Sequence, residues 1–325
     1  MHALNHLKAN NQFWFAIGFA IISFGLCGCD SAQSNDEPRP TQQTNEPLPL
    51  RLMTINVRYE HDEDAQQNAW SKRVIGMVHM IQRERPDVFA VQEAMHGQVA
   101  DLWASLPAYQ FIGTGRDDGH FGGEYTGIFF LKSRLIEDSN SSQTRWLSDQ
   151  PTQAGSKHWG NQFPRVVCQT RLWDRATGRA FHVFATHWDH RHQASRERSA
   201  LLLGKWIASR QPADEPVVLL GDFNAVESNP ALGYLLGKSV RLDGDVQRWS
   251  STMIDTYQTM HPKQKDRTTL HFWSFSQGGR LKVDHILISQ DGTVKDAAIL
   301  SEKINRVSDH FAVSADVVFP AATDR

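Results

Sequence analysis

The chain has 325 residues, 40% of them hydrophobic and 22% charged, with a formal net charge of −2. That composition excludes a disordered or fibrous chain and suits one large globular domain or two small ones. A near-neutral balance with no basic block weighs against a protein that grips long nucleic acid by charge, although a local groove can still be positive.

The N-terminal stretch Phe13–Cys27 runs fifteen residues without a charge. That is short for a membrane span and right for the apolar core of a signal peptide, with Lys8 as a thin positive flank. It ends in Leu26-Cys27-Gly28-Cys29, which resembles a bacterial lipobox with Cys29 as the acylated residue. Residues 1–28 therefore read as a lipoprotein signal peptide, an ordinary signal peptide or membrane anchor being the alternative. Residues 29–49 are rich in Ser, Asn, Gln, Pro and Thr and read as a disordered tether. The expected location is the bacterial cell envelope, lipid-anchored through Cys29 on the periplasmic face of the membrane. Of the 3 cysteines only Cys168 then remains in the folded part, so no internal disulfide forms there. Val166 and Val167 beside it suggest a buried, inert thiol in a strand rather than a nucleophile.

From Leu50 onward, strand and helix patterns alternate. "RLMTINV" (51–57) reads as a strand. Residues 70–84 place Val74, Met77, Val78 and Ile81 at helical spacing. "PDVFAVQE" (86–93) and "TGIFFLK" (126–132) are strands. "RVVCQTRLW" (165–173) and "RAFHVFATHW" (179–188), split by the turn signal "DRATG", make a hairpin. Residues 193–209 form a helix with Leu201, Leu202 and Trp206 inward. "VVLLGD" (217–222), a helix near 229–237, "TLHFWSF" (269–275), "VDHILIS" (283–289), "AAIL" (297–300) and "FAVSADVVF" (311–319) follow as strands apart from that helix. Neither a repeat nor an internal linker interrupts 50–320, and 321–325 is a short tail. Strands joined partly by hairpins and partly by helices predict one α/β domain of two packed mixed sheets flanked by helices.

Polar residues recur where strands end. Asn56 closes the first strand and Glu93 the second, and Glu124 precedes the next. His187 and Asp189 close 179–188, and Asp222 and Asn224 close "VVLLGD". Asp284 opens "VDHILIS", while Asp309 and His310 open the last strand. Any one of these is explained by a solvated strand end. All of them being Asp, Glu, Asn or His points to one cleft at a common sheet edge. Oxygen ligands without cysteine suit a hard cation such as Mg²⁺ or Mn²⁺. Two histidines flanked by carboxylates suit acid–base work or oxyanion stabilisation. Together they describe a metal-dependent phosphoesterase.

"TINVR", "VQE", "GEYTGIFF", "THWDH", "GDFN" and "SDHF", in this order over residues 50–320, resemble the endonuclease/exonuclease/phosphatase superfamily. The resemblance implies a four-layer α/β sandwich and a divalent-metal phosphoesterase. It implies Glu93, Asn56 and Asp309 at the metal and Asp222 activating the attacking water. It makes Asn224 a donor to the scissile phosphate, and His310, backed by Asp284, the stabiliser of its transition state. His187, paired with Glu124, matches a second histidine of the deoxyribonuclease-like members. A carboxylate behind each imidazole would fix its tautomer and favour its cation.

"NAWSKR" (68–73), "GRDDGHFGGE" (115–124) and "FPR" (163–165) resemble a bacterial secreted subgroup. Arg165 either contacts a phosphate or makes a surface salt bridge. Arg116 and Asp117 either hold a substrate hydroxyl or cap a loop, and Asp189 joins Arg165 and Arg116 as a substrate-binding candidate. Trp159 and Trp188 stack on a substrate or belong to the core. His190 and His192 read as a solvated loop rather than a zinc site. The expected substrate is a small phosphoester or phospholipid head group, with nucleic acid the alternative and a non-catalytic binding module a third reading. A monomer is expected.

Overall fold

The computed structural model describes residues 44–61, 64, 66–264, 267–274, 281–301 and 307–321. The signal peptide, the lipobox and most of the tether lie outside the described residues. Among the described residues, no helix is long and apolar enough to cross a membrane.

In chain order the elements are β1 (Leu48–Asn56), α1 (Trp70–Glu84), β2 (Val88–Ala94), α2 (His96–Ser105), β3 (Tyr109–Ile112), β4 (Tyr125–Leu131), β5 (Leu135–Glu137), β6 (Gln143–Trp146), β7 (Val166–Asp174) and β8 (Ala180–His187). There follow α3 (Gln193–Ala208), β9 (Val217–Asp222), α4 (Pro230–Leu235), β10 (Val240–Leu242), β11 (Asp245–Gln247), β12 (Met253–Asp255), α5 (Thr256–Met260), β13 (Asp284–Ser289), β14 (Thr293–Ile299) and β15 (Val313–Phe319). One sheet runs β14-β15-β1-β2-β4-β3, and the other β12-β13-β9-β8-β7-β5 with β6 also on β7. Both are mixed: β1–β2 and β8–β9 are parallel, and each of those pairs is joined by a helix.

Alternation along the strands builds the layers. Leu50 and Leu52 of β1 and Val88 and Ala90 of β2 meet Phe181, Val183, Val218 and Leu220 of the second sheet in a shared core. The opposite faces carry Met53, Ile55 and Phe89 onto α1 and α2. In the second sheet, Phe184 and Leu219 face α3 and α4. The order is thus helices, sheet, sheet, helices, the expected four-layer α/β sandwich. Helix α1 stops where Arg85 turns left-handed at φ 48°, its N–H on the Ile81 carbonyl, just before Pro86.

Three sequence expectations need correction. β1 begins at Leu48, because Leu48 and Leu50 are buried opposite Phe319 and Val317; residues 48 and 49 are strand, not tether. In α3 the buried apolar positions are Ala200, Leu203, Trp206 and Ile207, whereas Leu201 and Leu202 are half-buried. Residues 269–274 are not a strand: only Leu270 bridges, to His310, and Phe272 and Trp273 adopt left-handed φ of 49° and 60° that end any extended run.

Candidate active site

The alternation that builds the core also builds the site. On β8, β9 and β13 the inward-facing apolar row ends in His187, Asp222 and Asp284. These are register partners, His187 opposite Asp222 and Asp222 opposite Asp284. The inward row of β1 ends likewise at Asn56. Thus these four core strands each present one polar group at the same edge. Gly221 permits this packing: a Cβ there would lie 2.0 Å from the Thr186 carbonyl oxygen, on a backbone at φ 152°.

His310 reaches this row from the last loop. Its Nδ1 is 2.8 Å from Asp284 Oδ2, and both residues are buried. Burial alone would lower the imidazole, but the Asp284 charge and hydrogen bond, with Asp222 and Asp309, raise it to about 10. Asp222 Oδ2 lies 3.9 Å from His310 Nε2 and 3.6 Å from His187 Nε2. Burial first and the Asp284 charge second push Asp222 up to about 7.

His187 is the opposite case. Arg165 Nη1 lies 3.0 and 3.1 Å from its two ring nitrogens. A guanidinium only donates, so this imidazole presents a lone pair. Burial, then the charges of Arg165 and Arg116, hold its pKa well below the ordinary value. Glu124 does not stand behind it as expected. That carboxylate takes a two-pronged pair from Arg116 at 2.7 and 2.8 Å and stays 4.0 Å from His187. His187 is neutral where His310 is cationic.

Glu93 gets its aim from an irregularity. The register of β2 against β4 shifts between Val91 and Ala94, and Glu93 sits there at φ 61°. Asn56 Nδ2 then donates to Glu93 Oε1 at 2.8 Å and to Asp222 Oδ2 at 3.1 Å. Asn56 Oδ1 accepts from Arg58 N–H at 3.0 Å. Asn56 thus sits beside Glu93, where it braces two carboxylates while its own oxygen is turned onto the backbone. Asp309 lines the same cleft as Glu93. Ligand atoms of Glu93, His187 and Asp222 fall within 4.8 Å of one another, as do those of Asp222, Asp284 and His310. The donor set fits a divalent cation: burial, with repulsion by Glu93, raises the carboxyl pKa of Asp309 and that of Glu124, the latter to about 7. Crowded oxygen donors of this kind suit a hard ion.

The other predicted residues divide. Asn224 lines the cleft at φ 46°, its N–H on Asp222 Oδ1 at 2.8 Å and its Nδ2 on the Trp188 carbonyl at 3.0 Å. Phe223 turns back into the core. Arg165 also lines the cleft, and it is buried, so a surface salt bridge does not describe it. Arg116 is committed to Glu124. Asp189 is not brought to the cleft: its Oδ1 takes the N–H groups of Arg191 and His192, which fixes the turn into α3. Trp188 is core, packed on Phe223 with ring centroids 4.8 Å apart, and Trp159 packs against that same core. His190 lies 3.0 Å from Arg165, and no candidate ligand group among the described residues includes His190 or His192. Cys168 is buried, and burial pushes its thiol up to about 12.

The cleft holds about 940 Å³ and is lined also by Arg58, Tyr59, Asp64, Phe163, Phe272 and Trp273, none of which was singled out in the sequence. Arg73 of "NAWSKR" explains part of its shape. This buried guanidinium donates to the carbonyls of Asn68, Val57, Val307 and Arg58 at 2.6 to 2.9 Å. It thereby ties the loop after Asn56 to the loop before Asp309 and His310. Helical spacing alone marks Arg73 only as a residue of α1.

The chain matches the endonuclease/exonuclease/phosphatase family over residues 53–310 and belongs to that family. An endonuclease/exonuclease/phosphatase protein of Bacteroides vulgatus superposes with a TM-score of 0.74 at 29% identity, covering 83% of this chain and 98% of that one. The mannosyl-6-phosphatase of Bacteroides thetaiotaomicron gives 0.71 at 27% identity, covering 83% and 100%. In sequence, Nocturnin of Drosophila melanogaster is 25% identical over 203 residues, which is 59% of this chain and only 30% of that protein. The chain is accordingly a metal-dependent hydrolase of ester bonds, of the phosphoesterase and nuclease kind.

Proposed function

We propose that the protein hydrolyses a small phosphoester outside the cytoplasm, on the periplasmic face of a bacterial membrane to which acylated Cys29 tethers it. One observation carries the catalytic part: a carboxylate poised near pH 7 and a cationic imidazole lie 3.9 Å apart at the edge of one cleft. Asp222 takes a proton from the attacking water as its oxygen bonds to phosphorus. His310, kept cationic by Asp284, donates to a phosphoryl oxygen as charge builds on it and the ester P–O bond breaks. Asn224 and Arg165 add donors at the same centre, and neutral His187 orients Arg165. Glu93 and Asp309, with Asn56 as brace, would hold Mg²⁺ or Mn²⁺, which supplies neutralisation of the phosphate charge.

A cleft of about 940 Å³ and a net charge of −2 support a small ester over a polymer. The likeness to a mannosyl-6-phosphatase supports a phosphomonoester. The apolar run ending at Cys29 supports the tether and a substrate met at the membrane, a phospholipid head group included.

The test is a panel of phosphomonoesters, phosphodiesters, sphingomyelin and duplex DNA, assayed with Mg²⁺, Mn²⁺ or chelator. Metal-dependent cleavage of a small ester, indifferent to salt and abolished by His310→Ala or Asp222→Ala, is expected. Preferred cleavage of DNA that falls steeply with salt would replace this reading with an extracytoplasmic nuclease. Absence of turnover on every ester would leave a binding module. Cys29→Ala should move the protein from membranes to the soluble fraction, and a variant still bound to membranes would overturn the tether.

A further inference from the structure

We infer that the mouth of the cleft is a sugar-recognition subsite, so that the phosphate removed here is esterified to a sugar ring bearing adjacent hydroxyls. This rests on the phosphoesterase reading.

Two buried polar atoms carry it. Arg58 and Asp64 both line the cleft and are joined by one bond, Nη2 to Oδ1 at 3.0 Å. Arg58 Nε and Asp64 Oδ2 are buried without a hydrogen-bond partner. One is a donor and the other an acceptor, a few bonds apart on a fixed pair. A second phosphate would satisfy only the donor, and an amine only the acceptor. Adjacent hydroxyls satisfy both, one accepting from Nε and its neighbour donating to Oδ2.

The pair is held ready. Arg58 is left-handed at φ 57°, its N–H bonded to Asn56 Oδ1, its carbonyl bonded by Arg73 and by Gln98 at 3.0 Å. Its guanidinium lies 4.6 Å over the Tyr59 ring. The residue that braces the reacting carboxylates thus also fixes the hydroxyl-facing arginine two positions on.

Aromatic surface supplies the rest. Phe272 is 59% exposed and Phe163 40% exposed, and both line this cleft. Phe272 and Trp273 adopt left-handed backbone in succession, which bulky residues avoid and which persists only where the surroundings hold it. Around it, His271 N–H bonds the Asp309 carbonyl at 2.9 Å, Ser274 N–H bonds the His271 carbonyl at 2.8 Å and Leu270 bridges His310. The strained turn therefore hangs from the segment that carries His310. Exposed aromatic faces lining the same cleft as a paired donor and acceptor match a sugar, whose ring has an apolar C–H face and a hydroxyl edge.

The test compares kcat/KM of the full chain, with Mg²⁺ or Mn²⁺, on p-nitrophenyl phosphate, glycerol 3-phosphate, a hexose 6-phosphate, its monodeoxy analogues and a ribonucleoside 5′-phosphate. A sugar phosphate should exceed glycerol 3-phosphate by tenfold or more. Removing either of one adjacent pair of hydroxyls should cut kcat/KM about tenfold, the loss of one hydrogen bond of about 1.4 kcal/mol. Asp64→Asn should lower the ratio of sugar phosphate to p-nitrophenyl phosphate about tenfold, through KM. Phe272→Ala should raise KM for the sugar ester. The hexose and ribonucleoside arms separate a free sugar from a nucleotide. If p-nitrophenyl phosphate is turned over but neither sugar ester is favoured, or if no deoxy analogue differs from its parent, the subsite is overturned while the phosphoesterase reading stands. Absence of turnover on every ester would overturn that reading itself.

Discussion

Two histidines of the same type end in opposite states because their neighbours differ. His310 faces three carboxylates and is raised to about 10, and His187 faces Arg165 and Arg116 and is held low. The sequence shows a histidine near a carboxylate in both places and cannot show which cation stands closer. Asp284, Asp222 and His310 were legible because each closes or opens an apolar run. Asp189 fits the same pattern but does not line the cleft: its Oδ1 serves the turn into α3, while its Oδ2 lies 3.9 Å from Arg165 Nε. Arg58 closes the "TINVR" run, yet neither it nor Asp64 stood out as a site residue, because their role depends on a left-handed backbone and on bonds not made. The pH profile follows from these states. kcat should rise with pH through about 7 as Asp222 loses its proton, and fall only near 10 as His310 loses its own. Asp284→Asn should pull the alkaline limb toward the ordinary imidazole value of about 6.5, lowering kcat at pH 8 by about tenfold or more. A limb unmoved by this change would show that another group sets it. The same shift has a stability sign. A raised pKa stabilises the fold fully below about 6.5, and the contribution is lost as pH climbs through about 10.

At the scale of elements, α1 and the long strands were readable because seven or more residues give a period time to show. β5, β10, β11 and β12 have three residues each, too few for alternation. The aromatic run at 269–274 has strand composition, but tertiary contacts bend it into a turn. A buried polar knot joins β12, α5 and β13 beneath the site. Asp255 caps α5 through Gln258 N–H and contacts Lys282 Nζ at 3.0 Å and His285 Nδ1 at 2.6 Å. His285 Nε2 donates to the Ala225 carbonyl at 2.9 Å, linking the knot to the loop that carries Asn224. Burial would raise the Asp255 pKa, but the Lys282 charge and the His285 bond depress it far below the usual carboxylate range. Its contribution is therefore present above about pH 3.9 and lost as pH falls below that. Lys282→Met removes the ammonium that offsets the buried Asp255 charge and should cost ~3–5 kcal/mol in denaturant unfolding. Adding Asp255→Leu to it should restore part of that stability. Equal losses in the single and double variants would show that the pairing is not what holds this corner.

For the whole molecule, the count and order of strands made two packed sheets legible. Which strands are neighbours was not. β15 pairs with β1 across almost the entire domain, and that choice rests on matching Leu48, Leu50 and Leu52 to Phe319, Val317 and Ala315. Strand pairing over such separations leaves no local mark. Cys168 lies where the two sheets meet: its Sγ is 3.5 Å from the Ile112 carbonyl of the opposite sheet, and it packs among residues of both. Among the described residues it is the one free cysteine. The molecule thus carries its own clock. A thiol reagent gains access only while the sandwich parts, so the rate of labelling reports how often the layers separate. That rate should track global unfolding across a denaturant series and slow when a sugar phosphate or a divalent cation occupies the cleft, since both bind the closed form. A breathing motion with no spectroscopic handle of its own becomes a number read with Ellman's reagent and a stopwatch.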